Sequence, residues 1–479
     1  INSINDIDSN IDFSKEYILE KFVKLQREIS LVITRFGKNL YETYNPIENV
    51  HENQILKYSM IPADISEDIK IQAIMLRATP IMEGLTGIMI AGFIFFSGKL
   101  INADILVESG VIKKVAKNIP IKSEYEIIDL TDMTVLPGLM DAHVHLTGNT
   151  DLKGHEGISE SSYLATIYGV KNAKETLMAG FTTVRNVGAS NYSDVALRDG
   201  IEQKAIVGPT LLVSGPPLGI TGGHCDSNIL PAEYEYKAQG VADGPWEVRR
   251  KVRENKKYGV DLIKYCATGG VMSKGTNVNN RQYTLDEMKA IVDEAHTLGM
   301  KVAAHAHGLQ GIRMAIEAGV DSIEHSSLID QETVNFAISK GVFLAMDIYV
   351  SDYILGEGAK NGIPEYSLEK ERIVGKKQRE NFKMAFESGA KMAFGTDAGI
   401  YPHGKNARQF KYMVQWGMTP IEAIQASTIN TAELFGLNNI GEIKESFDAD
   451  IVAVMGNPLD DITLLENIDF VMKEGQIIK

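Results

Sequence analysis

Cysteine and tryptophan are scarce in this chain of 479 residues, which holds two of each. Cys225 and Cys266 form no CxxC pair, so we expect neither a disulfide framework nor a thiolate zinc site, and reducing surroundings fit best. Long apolar runs are also missing: the stretch 87–96 (GIMIAGFIFF) falls short of the ~20 residues that a membrane-spanning helix needs. These absences argue against a disulfide-rich secreted domain and against an integral membrane protein.

Positive charge is in deficit, because 48 Lys and Arg face 63 Asp and Glu and leave a net charge of -15. Such a balance argues against nucleic acid and anionic membranes as partners. The hydrophobic share of 44% and the charged share of 23% are ordinary for a globular protein. We therefore expect a cytoplasmic protein. The chain begins with Ile1 rather than Met, so a removed leader, and with it a secreted or periplasmic form, stays open.

The most informative segment is 135–146, VLPGLMDAHVHL, in which an aliphatic run ends in a His-x-His pair. Side chains alternate between the two faces of a strand, so His143 and His145 point the same way. Two imidazoles on one face can hold a metal ion at the end of a strand. Alone, this pair is weak evidence for a metal site.

Further polar residues end other strand-like runs, and helical patterns separate those runs. They are Lys264 after 260–263, His305 and His307 after 300–304, His325 after 320–324, and Asp397 after 392–396. Alternating strands and helices are typical of a parallel α/β architecture. In a closed barrel the carboxyl ends of the strands meet at one face, where active sites form. Each residue alone has an ordinary structural explanation, whereas the joint pattern indicates a metal centre.

These motifs resemble the amidohydrolase superfamily in its binuclear subtype with a carboxylated lysine. The resemblance is closest to the group related to imidazolonepropionase that includes Xaa-Pro dipeptidases (prolidases) and ochratoxinase-like amidases. The matching segments are 135–146, 263–273 (IKYCATGGVMS), 302–308 (VAAHAHG), 322–326 (SIEHS), 394–399 (FGTDAG) and 417–432. The resemblance covers about residue 90 to the C-terminus and implies a (β/α)8 TIM barrel.

The sequence pattern and the resemblance together predict that the chain has three parts. Residues 137–438 are expected to form the barrel, and residues 86–136 with 439–479 a small β-sandwich built from both flanks. Ser446 departs from the resemblance, since related chains often carry glycine there. Residues 1–85 show helical periodicity, clearest over 14–36 with Ser14 as N-cap, and predict a helical extension. This extension would pack on the barrel or at a subunit contact, and we expect a homo-oligomer.

The resemblance implies two divalent metal ions, with zinc as the expected metal. His143, His145 and Asp397 would hold one ion, and His305 and His325 the other. Lys264 would bridge both as N6-carboxylysine, because a bare ammonium cannot ligate a cation. His307 would then face the substrate. Both histidines of the 305/307 pair share a strand face, so an exchange of their roles stays open.

The expected chemistry is hydrolysis of an amide by a metal-bridging hydroxide. Asp397 is the expected proton shuttle, since a carboxylate beside the hydroxide can take its proton and pass it to the leaving nitrogen. His224, on the glycine-rich loop 216–224, and His307 are the other catalytic candidates and also candidate substrate contacts. Tyr349 and Tyr265 are further candidates for binding substrate, although strand alternation would turn Tyr265 away from the barrel interior. Arg313 and His403 are weaker candidates for binding a substrate carboxylate.

Several substrates fit this centre. A dipeptide such as Xaa-Pro or an N-acyl amino acid is favoured. A cyclic amide, as in imidazolonepropionase, or an aryl amide such as ochratoxin is the alternative. A non-catalytic scaffold that keeps the barrel is a remote alternative, because an idle site has no physical need for all six ligand positions.

Overall fold

The computed structural model describes residues 28–30, 33–37, 40–43, 47–52, 55–60, 88–96, 99–123, 125–150 and 160–479. The chain divides into two compact units, Ile1–Thr86 and Gly87–Lys479. Among the described residues, no helix combines the length and the apolar character needed to cross a membrane.

The first unit contains short antiparallel strands where it is described. They are β1 (Glu28–Ser30), β2 (Ile33–Gly37), β3 (Leu40–Thr43), β4 (Ile47–Glu52) and β5 (Ile55–Met60). Strand β4 pairs with β1 and β5, and β2 pairs with β3. The helix expected over 14–36 is therefore wrong at β1 and β2, and residues 14–27 lie outside the described residues. The run Val32-Ile33-Thr34 explains the error, since β-branched side chains favour extended backbone.

The second unit carries the remaining elements. Its strands are β6 (Ile88–Phe96), β7 (Lys99–Glu108), β8 (Val111–Ala116), β9 (Glu126–Pro137), β10 (Leu139–Val144), β11 (Phe181–Asn186), β12 (Thr210–Val213), β13 (Leu262–Cys266), β14 (Lys301–Ala306), β15 (Ser322–His325), β16 (Phe343–Ala345), β17 (Lys391–Ala393), β18 (Ile451–Met455), β19 (Phe470–Lys473) and β20 (Gln476–Ile477). Its helices are α1 (Ser162–Met178), α2 (Ser193–Glu202), α3 (Pro245–Lys257), α4 (Leu285–Thr297), α5 (Leu309–Ala318), α6 (Gln331–Lys340), α7 (Val350–Tyr353), α8 (Glu365–Glu387), α9 (Arg408–Gln415), α10 (Pro420–Ala426) and α11 (Ile429–Phe435).

The two flanks of the second unit share one sheet, in the order β20-β19-β18-β9-β6-β7-β8. Strand β9 from the N-terminal flank pairs antiparallel with β18 from the C-terminal flank, with Val135 opposite Ala453. Residues on one face of this sheet, including Ile105 on β7 and Ile451 on β18, form a buried apolar cluster. The predicted union of the flanks is thus present as a seven-stranded sheet, and the exact domain limits stay a prediction. Ser446 has φ +73°, the left-handed conformation that explains why a glycine would fit there.

Between the flanks, parallel strands form the barrel. Strands β10 to β12 make one parallel group and β13 to β17 another. Parallel bridges join Leu218 to Tyr265 and Val144 to Ala398, which links the two groups at both edges. The described part of the chain therefore holds a ring of eight parallel strands with helices outside it, and the TIM barrel is confirmed. In such a ring the carboxyl ends of all strands open on one face.

Capping signals fix the helices that separate these strands. Helix α4 starts at Thr284, whose side chain accepts from the Glu287 amide while the Glu287 carboxylate accepts from the Thr284 amide. Helix α5 ends at Gly319, with φ +96°. The stop at Gly319 sets where β15 begins, and so the height at which His325 lies in the barrel.

Candidate metal centre

A cavity of about 320 Å³ opens at the carboxyl ends of the barrel strands. Its polar lining consists of His143, His145, His224, Lys264, His305, His307, His325, Asp347, Glu371 and Asp397. Its other lining residues are Val187, Pro217, Cys225, Cys266, Val271, Met272, Val350, Ile354 and Ile400. Every residue that the sequence predicted as a metal ligand reaches this one cavity.

Two groups of donor atoms lie close enough to share an ion. His305, His307 and His325 form one group, with potential ligand atoms all within 4.8 Å of one another. His143, His325 and Asp397 form the second by the same measure. His145 adjoins it, since its Nε2 and the Nε2 of His143 each lie 3.4 Å from Oδ1 of Asp397. The donor set of nitrogen and carboxylate oxygen suits a divalent ion such as zinc.

A buried ion pair orients His143. Its Nδ1 lies 2.9 Å from Oε2 of Glu324, and Oε1 of Glu324 accepts a 2.7 Å hydrogen bond from the Arg185 guanidinium. Burial by itself would raise the pKa of Glu324, but Arg185 and His143 outweigh it and hold that pKa well below its usual range. An ionised Glu324 places the proton of His143 on Nδ1, so that Nε2 is free to donate its lone pair into the cavity.

His325 and His307 are oriented in the same way. Nδ1 of His325 lies 2.9 Å from Oδ1 of Asp347, which also accepts a 2.7 Å hydrogen bond from the Gln378 side chain. Nδ1 of His307 lies 2.8 Å from the Ser327 hydroxyl. Both imidazoles therefore present Nε2 to the cavity.

His305 differs in which nitrogen remains for an ion. Its Nε2 lies 3.4 Å from the Gly269 carbonyl, which leaves Nδ1 for other partners. Burial lowers the pKa of both His305 and His307 well below the usual value, so both are neutral donors. Because both stand in the same donor group, the assignment of His305 as ligand and His307 as substrate contact stays a prediction.

Lys264 ends inside the barrel on β13 and is 3% exposed. Burial lowers the pKa of its ammonium to about 8. At neutral pH an appreciable share of the side chain is therefore the free amine, which is the nucleophilic form.

The turn that carries Asp397 is held by a second buried carboxylate, which sequence reasoning missed. Asp141 accepts hydrogen bonds from the Thr396 hydroxyl at 2.5 Å and from the Asn406 amide at 2.8 Å. The Asp397 amide donates to the His143 carbonyl at 2.9 Å. Asp397 has φ +57° and His325 has φ +69°, so both stand in left-handed backbone that few non-glycine residues adopt.

His224 lies over the other side of the cavity. Its Nδ1 lies 2.8 Å from the Ser273 hydroxyl, and its ring centroid lies 4.2 Å from that of His305. Burial lowers the pKa of His224 to about 3, so the ring is neutral at neutral pH. The neutral ring can accept a hydrogen bond from a substrate or donate one to it. It is not an imidazolium, so it holds no acidic proton to transfer.

The two cysteines are joined by a disulfide between Cys225 and Cys266, with Cα atoms 6.2 Å apart. This corrects the expectation that the two cysteines form no disulfide framework. The cause is long-range: Leu218 pairs with Tyr265, which brings the loop after β12 alongside the end of β13. A separation of 41 residues gives no sign of such an approach. The bond ties the residue after His224 to the strand that carries Lys264.

The structure does not bring the two predicted tyrosines to the cavity wall. Tyr265 is fully buried on the outer face of β13, with its ring edge-on to Tyr283 at 6.0 Å, because alternation turns it away from Lys264. The hydroxyl of Tyr349 accepts from Arg408 at 2.9 Å. Neither tyrosine is among the residues that line the cavity, and their role in binding substrate stays a prediction.

The two weaker candidates also have other partners. Arg313 forms a surface ion pair with Glu332 at 2.7 Å. Nε2 of His403 lies 3.1 Å from the His145 carbonyl, so His403 supports the backbone of a predicted ligand.

The residues that orient the histidines by hydrogen bonds were not among the predicted site residues. Glu324 was within reach of sequence reasoning, because it immediately precedes His325 in the SIEHS segment. Arg185 and Asp347 follow no comparable pattern, since their partners lie 139 residues and 22 residues away in the chain.

Replacing Asp347 by asparagine should weaken metal binding about 10–100-fold while the fold is kept, because the substitution removes the charge that makes His325 a better donor. Competition with a chromogenic chelator measures the change. Asp352→Asn, an exposed carboxylate on α7, is the matched control and should bind metal as the parent does. Unchanged metal affinity in Asp347→Asn would show that His325 is not a ligand.

Comparison with known proteins places the chain among characterised relatives. A sequence model of the amidohydrolase family matches residues 134–478. A model of the ATP-grasp domain matches residues 1–107, a stretch that includes the first unit. Ochratoxinase from Aspergillus niger is 30% identical over 454 residues, covering 88% of this chain and 92% of that protein. Imidazolonepropionase from Treponema denticola is 24% identical over 420 residues, covering 78% of this chain and 91% of that protein.

The fold has close counterparts among solved structures. A Xaa-Pro dipeptidase with methionine bound in its active site superposes with a TM-score of 0.79 and 36% identity, covering 82% of this chain and all of that one (100%). Sequence and fold thus agree over the second unit.

Proposed function

Because this chain belongs to the amidohydrolase family, and is therefore a hydrolase that acts on amides, we propose that it cleaves the amide bond of a small substrate with an amino-acid leaving group. A dipeptide such as Xaa-Pro is the favoured substrate, and an N-acyl amino acid is the next. The observation that carries the proposal is the convergence of six predicted ligand side chains on one cavity. One of the six, Asp397, is also the carboxylate proposed to move the proton.

The donor set fits two divalent ions. His143, His145 and Asp397 would hold one, His305 and His325 the other, and Lys264 would bridge them. Support comes from two groups of donor atoms that each lie within 4.8 Å of one another, His305/His307/His325 and His143/His325/Asp397. Further support comes from Nε2 of His143 and of His325, which stay free because carboxylates bind the opposite ring nitrogens. Divalent ions at such a site, with zinc as the proposed metal, acidify a water molecule and polarise the amide carbonyl.

Lys264 would serve only after a chemical change. We propose that its free amine attacks carbon dioxide, forming an N–C bond and releasing one proton, so that the side chain becomes a carbamate anion. The pKa of about 8 that burial imposes on Lys264 supports this step, since the protonated ammonium has no lone pair for the attack.

Asp397 would move the proton. Its carboxylate lies beside His143 and His145 in the cavity. In that position it can accept the proton of the attacking water and return it to the departing nitrogen. His224 and His307 are the proposed substrate contacts, since both line the cavity. As neutral rings they would hold the carbonyl oxygen or the leaving group by hydrogen bonds.

The size of the cavity supports a small substrate. A volume of about 320 Å³ lies at the lower end of the range for small-molecule sites. The apolar lining residues Val271, Met272, Val350 and Ile354 would pack against an apolar side chain or a proline ring. The likeness to a Xaa-Pro dipeptidase supports the dipeptide, and the relation to ochratoxinase supports an aryl amide as the alternative substrate. The homo-oligomer, its cytoplasmic location and the cyclic-amide alternative stay predictions.

The test is a substrate panel with metal analysis. Zinc-loaded protein is assayed on Xaa-Pro dipeptides, other dipeptides, N-acyl amino acids, ochratoxin and imidazolone propionate. We expect the best kcat/KM on an Xaa-Pro dipeptide, with loss of activity on chelation and recovery when zinc is returned. Faster hydrolysis of ochratoxin or of the cyclic amide would overturn the substrate proposal while leaving the metal chemistry in place.

A further inference from the structure

The cavity contains an acidic side chain that the proposed mechanism does not use. Glu371, on α8, lines the wall next to Val350 and Ile354 and is 3% exposed. One of its carboxylate oxygens accepts a hydrogen bond from the Ser351 hydroxyl. Within the described residues, the other oxygen has no hydrogen-bond donor.

The cations on the same helix point to other partners. Arg379 donates to the Ile348 carbonyl at 2.9 Å and to the Asp352 carboxylate at 2.7 Å. Lys370 donates to the Gly270 carbonyl at 2.6 Å. In the described part of the chain, Glu371 is thus a buried carboxyl with no ion pair.

The surroundings make this side chain ready for a cation. Burial, together with the negative charges of Asp347 and Asp397, raises the pKa of Glu371 to about 7. Gly375, one turn further along α8, leaves room for the carboxylate, because a Cβ there would lie 2.7 Å from Oε1 of Glu371. A buried carboxyl without an ion-pair partner, next to a glycine that leaves it space, has a free position for a positively charged group of a ligand.

We infer that Glu371, supported by Ser351, binds the α-ammonium group of the substrate's N-terminal residue. This inference rests on the proposed function and narrows it, because a dipeptide carries that ammonium while an N-acyl amino acid does not. The apolar side chains of Val350 and Ile354 beside Glu371 would hold the side chain of the same residue.

Chemical specificity follows from the unpaired carboxylate. An ammonium supplies the missing hydrogen bond and the opposite charge together. A neutral acyl group supplies neither and would leave the carboxyl buried without a partner, which disfavours that substrate. The wall of α8 would therefore select peptides with a free amino terminus.

Binding of a stable amine tests the site without turnover. L-leucinol, which carries an ammonium and no hydrolysable bond, is compared with 4-methylpentan-1-ol by calorimetry on the zinc-loaded protein. We expect leucinol to bind at least about tenfold more tightly, the scale of one hydrogen bond to a charged group. Glu371→Gln should remove this preference, and the exposed neighbour variant Glu369→Gln should keep it. Equal affinities in the parent protein, or a preference that persists in Glu371→Gln, would overturn the inference.

Kinetics on a matched substrate pair separates this inference from the proposed function. Leu-Pro is compared with 4-methylpentanoyl-proline, which lacks only the amino group. Glu371→Gln should lower kcat/KM for Leu-Pro by about tenfold or more and leave the des-amino substrate nearly unchanged. An equal fall on both substrates would contradict the ammonium site. Failure of the parent protein to cleave either compound would contradict the proposed function, and the leucinol experiment would still decide the role of Glu371.

Discussion

Lys264→Ala should abolish amide hydrolysis and lower the metal content of the purified protein. The substitution removes the anionic oxygen donor that the carboxylated side chain would supply to both ions, and it leaves a space inside the barrel at a position that is 3% exposed. Short carboxylic acids such as acetate or propionate can enter that space and replace the carbamate in part. Turnover with and without added acid, together with metal analysis by mass spectrometry, measures the effect.

A matched control exists on the adjacent strand. Lys301 is at the start of β14 with its side chain at the surface, in an ion pair with Asp321 at 3.3 Å. Lys301→Ala should keep both metal and activity. Parental turnover in Lys264→Ala would remove the bridging lysine from the mechanism, and loss without any acid rescue would favour a role in packing over ligation.

Asp397→Asn should slow the chemical step by at least ~10²-fold, the usual contribution of a positioned acid–base group. The amide keeps one oxygen donor but cannot accept a proton and return it. Asparagine tolerates the left-handed backbone that Asp397 adopts at φ +57°, so the fold should be kept. Single-turnover rates measure the chemical step, and the acidic limb of the pH–rate profile should change because it reports protonation of this carboxylate and its coupled water.

The control for this variant is Asp330→Asn. Asp330 caps α6 outside the cavity, and asparagine is an equally good cap. The control should leave the rate unchanged. Near-normal turnover in Asp397→Asn with full metal content would exclude Asp397 as the shuttle, and His224 and His307 would be the next groups to test.

The barrel and its candidate metal centre were open to prediction because their signals are local. Each predicted ligand ends an aliphatic run, and a parallel sheet turns that position in sequence into a position in space. The register confirms this reading, since Cys266 lies opposite His305 and Ala306 lies opposite His325. Strand ends that are far apart in the chain are thereby brought to one level.

Other features depend on contacts that no local pattern records. The disulfide needs the loop after β12 to return to β13, and Glu371 reaches the cavity only because α8 packs beside it. The helix predicted in the first unit was wrong for a different reason. Its apolar residues are spaced as in a helix, but the segment also contains β-branched residues that favour a strand. Over so short a segment the pattern fits both structures, and the strand is the one observed at β1 and β2.

The left-handed backbone at Asp397 and His325 has a consequence for anyone who engineers this enzyme for heat resistance. A side chain in that conformation costs about 1–2 kcal/mol relative to glycine, so glycine at position 397 would relieve strain even as it removes the carboxylate. Directed evolution scored only on residual folded protein after heating would therefore favour such substitutions and return thermostable variants that lack the proposed proton shuttle. A screen of this protein therefore has to measure both turnover and melting temperature for every variant.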